Sequence, residues 1–171
     1  MKKLTTIAPL LATALIAAPT IAADMDVDWF VGAGVGYQND DVSGSNATNG
    51  EDASYELRGG AILNENHRVM GTVGYMDKLE QTKFIASYDY LYSVYDNINL
   101  FAGVSIGAAD SEVANESSTE FVWGGQVGAM YEFNDNWTTE LSYRYLALDF
   151  EEKGVEIDNT QQVVVSVDYR F

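Results

Sequence analysis

Residues 161–171, QQVVVSVDYRF, end the chain in the middle of an alternation. Gln161, Val163, Val165, Val167, Tyr169 and Phe171 fall on one face, and Gln162, Val164, Ser166, Asp168 and Arg170 on the other. A period of two is the signature of a strand. The apolar face runs unbroken to the last residue, so the solvent it meets decides the fold.

The opposite end supplies a compartment. In MKKLTTIAPLLATALIAAPTIAA, residues 1–23, two lysines precede an apolar stretch, and Ala22 and Ala23 close it. That is the order of a secretory signal peptide, with cleavage expected after Ala22 or Ala23. Residues 24–171 are then expected to form one domain. No later segment offers the roughly 18 consecutive apolar residues of a membrane-spanning helix. The lack of cysteine excludes a disulfide framework and a lipidated cysteine.

The chain carries 26 acidic residues against 9 Lys and Arg, a formal −17 that becomes about −19 once Lys2 and Lys3 leave with the signal. Nucleic acid and anionic surfaces are disfavoured as partners. With 47% hydrophobic and 12% aromatic residues the chain is not a disordered polyanion. The acid must be segregated from the apolar residues.

The alternation recurs in eight runs. DWFVGAGVGYQ sets Trp29, Val31, Ala33, Val35 and Tyr37 against Phe30 and three glycines. SYELRGGAIL sets Tyr55, Leu57 and Leu63 against Glu56 and Arg58. VMGTVGYM, KFIASYDYLYSVY, NLFAGVSIGAA, EFVWGGQVGAMYEF and WTTELSYRYLAL continue the pattern up to the closing run. Runs of about ten residues suit tilted strands that cross a bilayer. The connections alternate too. NENH (64–67), YDNIN (95–99) and NDN (134–136) read as tight turns. Long acidic loops are expected at 38–53, 109–119 and 149–159, with a shorter one at 77–81.

A soluble up-and-down barrel would turn its apolar face inward. An eight-stranded barrel has an interior only wide enough for side chains to fill, and more than a dozen Phe, Trp and Tyr on the apolar face cannot fit there. The other face, read as Gly, Ser, Thr and Gln with scattered charges, suits such a lumen. Trp29, Tyr131, Phe133, Trp137, Tyr169 and Phe171 gather at the tight-turn ends, and Tyr37, Tyr55, Tyr75, Tyr88 and Tyr145 are expected at the other. Two aromatic girdles are the pattern of an outer-membrane barrel. The expected fold is therefore all-β: an eight-stranded antiparallel up-and-down transmembrane β-barrel.

The signal, strand count, loop asymmetry and ending resemble the small eight-stranded outer-membrane barrels, the OmpA-barrel and OmpX-like group, over about residues 28–171. YDYLYSVYDNINLFAGVSIGAA resembles the central hairpin of generic outer-membrane β-barrel proteins. The resemblance implies location in the cell outer membrane of a Gram-negative type cell. It also implies that Val163, Val165, Val167, Tyr169 and Phe171 form the signal read by the barrel-assembly machinery, and that the chain, ending at its barrel, has no peptidoglycan-binding domain.

Enzymes among small barrels resemble lipid A deacylases, palmitoyltransferases or the longer omptin proteases. His67, the one histidine, falls in or beside a tight turn at the wrong end for outer-leaflet chemistry, and no cysteine offers a nucleophile. No catalytic residue, cofactor or metal is assigned. GAGVG (32–36) lacks the third glycine of a dinucleotide fingerprint. DMDVD (24–28) and the acidic loops read as solvated charge rather than a Ca²⁺ or Mg²⁺ site.

By parity, Glu56, Arg58, Asp89, Glu132, Glu140, Arg144, Asp168 and Arg170 point into the lumen. Enclosed charges must pair or stay hydrated, and Glu56 with Arg58 and Glu140 with Arg144 are the neighbours along their strands. The expectation is a non-enzymatic barrel with a structural or surface-interaction role through its acidic loops. A narrow porin-like channel gated by the lumen pairs is the alternative, and an outer-membrane lipid-modifying enzyme the lesser one. Expected partners are outer-membrane lipid and lipopolysaccharide and the assembly machinery, with the barrel a monomer.

Overall fold

A computed structural model describes residues 26–44, 50–76, 81–113, 116–152 and 155–171. The signal segment expected at 1–23 lies outside them. Eight strands follow one another: β1 (Val27–Gly44), β2 (Gly50–Leu63), β3 (His67–Met76), β4 (Gln81–Tyr95), β5 (Ile98–Val113), β6 (Glu116–Glu132), β7 (Trp137–Glu152) and β8 (Val155–Arg170). Each pairs antiparallel with the next, and β8 returns to β1, closing the barrel. Closure leaves no sheet edge, so every strand finds its backbone partners within the wall.

Burial runs opposite to that of a soluble barrel. Leu57 is 67% exposed, while its neighbour Arg58 is 4% exposed. Val31, Val104, Trp123, Leu141 and Val165 likewise face outward. Placing this wall in water would expose a continuous apolar surface; in hydrocarbon the same surface meets its own kind.

The strands are longer than the alternation suggests. The stretches expected to be long loops at 38–53, 109–119 and 149–159 are largely strand. β1 and β2 stay paired to Asp40↔Gly50, β5 and β6 to Val113↔Glu116, and β7 and β8 to Glu152↔Val155. Ladder bonds depend on the backbone, so a hydrophilic sequence does not by itself end the pairing. Register shifts at Asp41/Val42 and between Ala147 and Phe150 bend these extensions.

The three short connections at the other end are tight. Asn64 and Glu65 have φ of 49° and 64°, and Asn66 N donates to Leu63 O at 3.3 Å. Two successive left-handed residues make a type I′ turn, a geometry that Asn tolerates and a longer side chain resists. Glu65→Gly is expected to stabilise the barrel by about 1 kcal/mol, read as a higher urea midpoint of refolded protein. An unchanged or lower midpoint would remove the strain argument. At the last turn, Asn134 Oδ1 accepts from Asn136 N at 3.0 Å and Trp137 N at 2.9 Å.

Candidate functional site

The lumen concentrates the chemistry of the described residues. Inward positions alternate along every strand, and the staggered register stacks them in layers. At the tight-turn end Phe30, Ile62, Met70, Leu91, Phe101 and Met130 form an apolar cluster. Toward the long-hairpin end lies a second one, Ile85, Ala109, Val122 and Leu146. The lumen is thus less polar than the Gly, Ser, Thr and Gln reading of the inward face, because parity places Phe30, Met70 and Phe101 inside as surely as it places charges there.

Between the two clusters runs a connected polar lattice. Arg58 grips Asp168 with two bonds, Nε to Oδ1 at 2.7 Å and Nη2 to Oδ2 at 2.5 Å, and donates from Nη1 to Glu140 Oε1 at 2.8 Å. The other oxygen of Glu140 accepts from Arg68, whose Nε donates to Asp89 Oδ2 at 2.9 Å. Asp89 Oδ1 accepts from Gln126 at 2.6 Å, and Gln126 Oε1 accepts from Arg144 Nε at 3.0 Å. Arg144 reaches Glu56 Oε1 at 3.1 Å, and Gln162 donates to that same oxygen at 2.8 Å and to Ser54 at 2.9 Å. The partners are not the strand neighbours expected from sequence. Residues two apart on one strand point in parallel, whereas closure aims side chains from opposite walls at one another.

Strands β2, β3, β4, β6, β7 and β8 supply these side chains. The other two supply room. A Cβ on Gly32 of β1 would fall on the Asp168 carboxylate, and one on Gly103 of β5 on that of Asp89. The lattice therefore draws on the whole circumference, and the glycines of GAGVG serve close approach within the lumen.

Of the expected residues, Glu56, Arg58, Asp89, Glu140, Arg144 and Asp168 join this lattice. Glu132 and Arg170 do not; they pair at the mouth, 3.0 Å apart, with Asn99 donating to Glu132 Oε1 at 2.9 Å. Two buried cations were missed. Arg68, 1% exposed, escapes a reading that starts the third run at Val69, yet its parity with Met70 and Thr72 marks it as inward. Lys83, whose Nζ donates to Gln38 Oε1 at 3.0 Å, sits on the face of Ser87 and Asp89 and was legible there. His67 faces outward, its Nδ1 2.7 Å from the Tyr88 hydroxyl. Tyr88, expected in the outer girdle, pairs with Val69 near the start of β3 and so lies toward the tight-turn end. The strand tilt carries β4 beyond the β3 turn.

A closed eight-stranded wall, apolar outside and charged within, is the geometry of a membrane barrel. Residues 8–171 match the family described as outer membrane protein beta-barrel domain. The chain belongs to that family. None of the curated proteins matches it in sequence. Among solved structures, this outer-membrane barrel is similar to Neisserial surface protein A, with 18% identity, 84% of this chain and 97% of that one covered, and a TM-score of 0.63. It is similar to outer membrane protein H from P. aeruginosa, with 21% identity, 84% and 99% covered, and a TM-score of 0.64. It is also similar to Ail of Yersinia pestis, solved with the heparin analogue sucrose octasulfate, with 15% identity, 85% and 99% covered, and a TM-score of 0.52. At these identities the likeness is one of fold. The outer-membrane barrel carries its tight turns toward the periplasm and its long hairpins outside, as such barrels do. Val163, Val165, Val167, Tyr169 and Phe171 all point into lipid, and Phe171 N donates to Trp29 O at 2.9 Å, tying the last residue to β1.

Proposed function

We propose that this outer-membrane barrel is a non-enzymatic surface-interaction protein whose external hairpins bind cationic partners, with a closed lumen that serves as scaffold. The observation that carries the reading is the sorting of charge. Arg58, Arg68, Lys83 and Arg144 are buried in the lumen opposite Glu56, Asp89, Glu140 and Asp168, which neutralises the interior. The sequence of the long-hairpin stretches, residues 38–53, 77–81, 109–120 and 148–158, holds 15 carboxylates against Lys78 and Lys153. A field of one sign steers oppositely charged partners and repels like ones. A polyanion such as the sucrose octasulfate seen with Ail suits this surface poorly. The barrel sits as a monomer in outer-membrane lipid and lipopolysaccharide, delivered by assembly machinery that reads its closing strand.

Cells displaying the full chain should adhere to an immobilised cationic protein and not to heparin, and adhesion should fall with added salt. Shortening the hairpins within 40–50 and 111–118 should abolish adhesion while the barrel still folds. Equal adhesion by the shortened chain, or preference for heparin, would contradict the proposal. A narrow channel is the second reading, favoured by charged side chains in the lumen; the apolar cluster of Phe30, Ile62, Met70, Leu91, Phe101 and Met130 across the tight-turn end speaks for closure.

A further inference from the structure

The periplasmic mouth opens into a vestibule of about 500 Å³. Asp28, Asp96 and Glu132 stand at its rim, and Ile62, Leu91 and Met130 form its floor. Those floor residues are also members of the apolar cluster made with Phe30, Met70 and Phe101. The vestibule is wide enough for water and hydrated ions, but its floor offers them no hydrogen bond, and an apolar constriction excludes both by dewetting.

One residue belongs to both layers. Arg68 lies with its Cζ 4.4 Å from the Phe101 ring centroid, while its donors reach Asp89 and Glu140 in the lattice above. The edge of the ring also lies against Gly128, where a Cβ would stand 2.5 Å from Phe101 Cζ. Phe101 thus packs against both a guanidinium and a glycine.

We propose that this apolar cluster, and not the ion-pair lattice, is the barrier between the periplasmic vestibule and the lumen, and that Arg68 is the joint that holds Phe101 shut. The inference goes beyond the surface role and does not depend on what the hairpins bind. It places the lock of any channel activity at Phe101. Loss of lattice pairs remote from Arg68 leaves the lumen sealed.

The chain has no cysteine, so single cysteines report access cleanly. Ser93→Cys lies in the vestibule wall, and Ser142→Cys lies above the seal, between Glu140 and Arg144 on the inward face of β7. In refolded full-length barrel, a charged thiol reagent should label Ser93→Cys promptly and leave Ser142→Cys unreactive. Adding Phe101→Ala or, as an independent variant, Met130→Ala should raise Ser142→Cys labelling on the order of tenfold or more. Adding Arg144→Met should not. Heat-dependent gel mobility verifies folding of each variant. Labelling of Ser142→Cys in the otherwise native barrel, its persistence as unreactive in both folded seal variants, or labelling on Arg144→Met alone would each overturn the proposal.

Discussion

Arg58→Met is expected to destabilise the refolded barrel by about 3–5 kcal/mol, the cost of leaving buried charge without its counter-charge. Arg58 alone occupies both oxygens of Asp168 and one of Glu140. Methionine keeps the stem and removes every donor, so Asp168 loses its guanidinium and Glu140 retains only Arg68. The measurement is urea unfolding of wild type and variant in the same detergent. Combining Arg58→Met with Asp168→Leu should recover part of the loss, because a buried pair replaced by packed apolar groups is tolerated far better than half a pair. A loss under about 1 kcal/mol for the single variant would mean that the lattice is solvated and does not hold the barrel together.

Gly32→Ala is expected to cost about 3 kcal/mol or more, beyond the range of a simple overpacked methyl. Its new Cβ would coincide with the Asp168 carboxylate and stand 2.7 Å from Val167 O, a backbone atom that cannot swing aside. Asp168 must therefore leave the fork of Arg58. Gly59→Ala, on the lipid-facing side, meets nothing nearer than Phe30 O at 3.4 Å. It should be neutral or gain up to about 1 kcal/mol from reduced chain entropy. A double-mutant cycle of Gly32→Ala with Arg58→Met should show strong coupling, since both act through one carboxylate. Additivity of the two, or equal costs at Gly32 and Gly59, would separate the glycine from the lattice.

The barrel was legible because a period of two repeated along each strand leaves one assignment of faces, and aromatic volume forces the apolar face outward. The ending with Tyr169 and Phe171 made that choice visible in eleven residues, 161–171. Loop lengths were less legible, since a polar sequence such as 109–119 pairs through its backbone as readily as an apolar one. Lumen charge was legible by parity down to Glu56 and Asp168, but the pairing was not. Which carboxylate meets Arg58 depends on register and closure, and residues 58 and 168 meet only because β8 returns to β1 and Gly32 clears the way. Arg68 was lost to a boundary placed at Val69, and the apolar seal because attention to charge passed over Phe30 and Phe101 at inward positions.

Planar-bilayer conductance of the refolded native barrel tests the central claim most directly. A lumen filled by a continuous lattice above an apolar floor predicts a silent membrane at any applied potential that leaves the barrel folded. Discrete, reproducible current steps from correctly folded native protein would contradict it and make the lumen, rather than the external hairpins, the working part of the molecule.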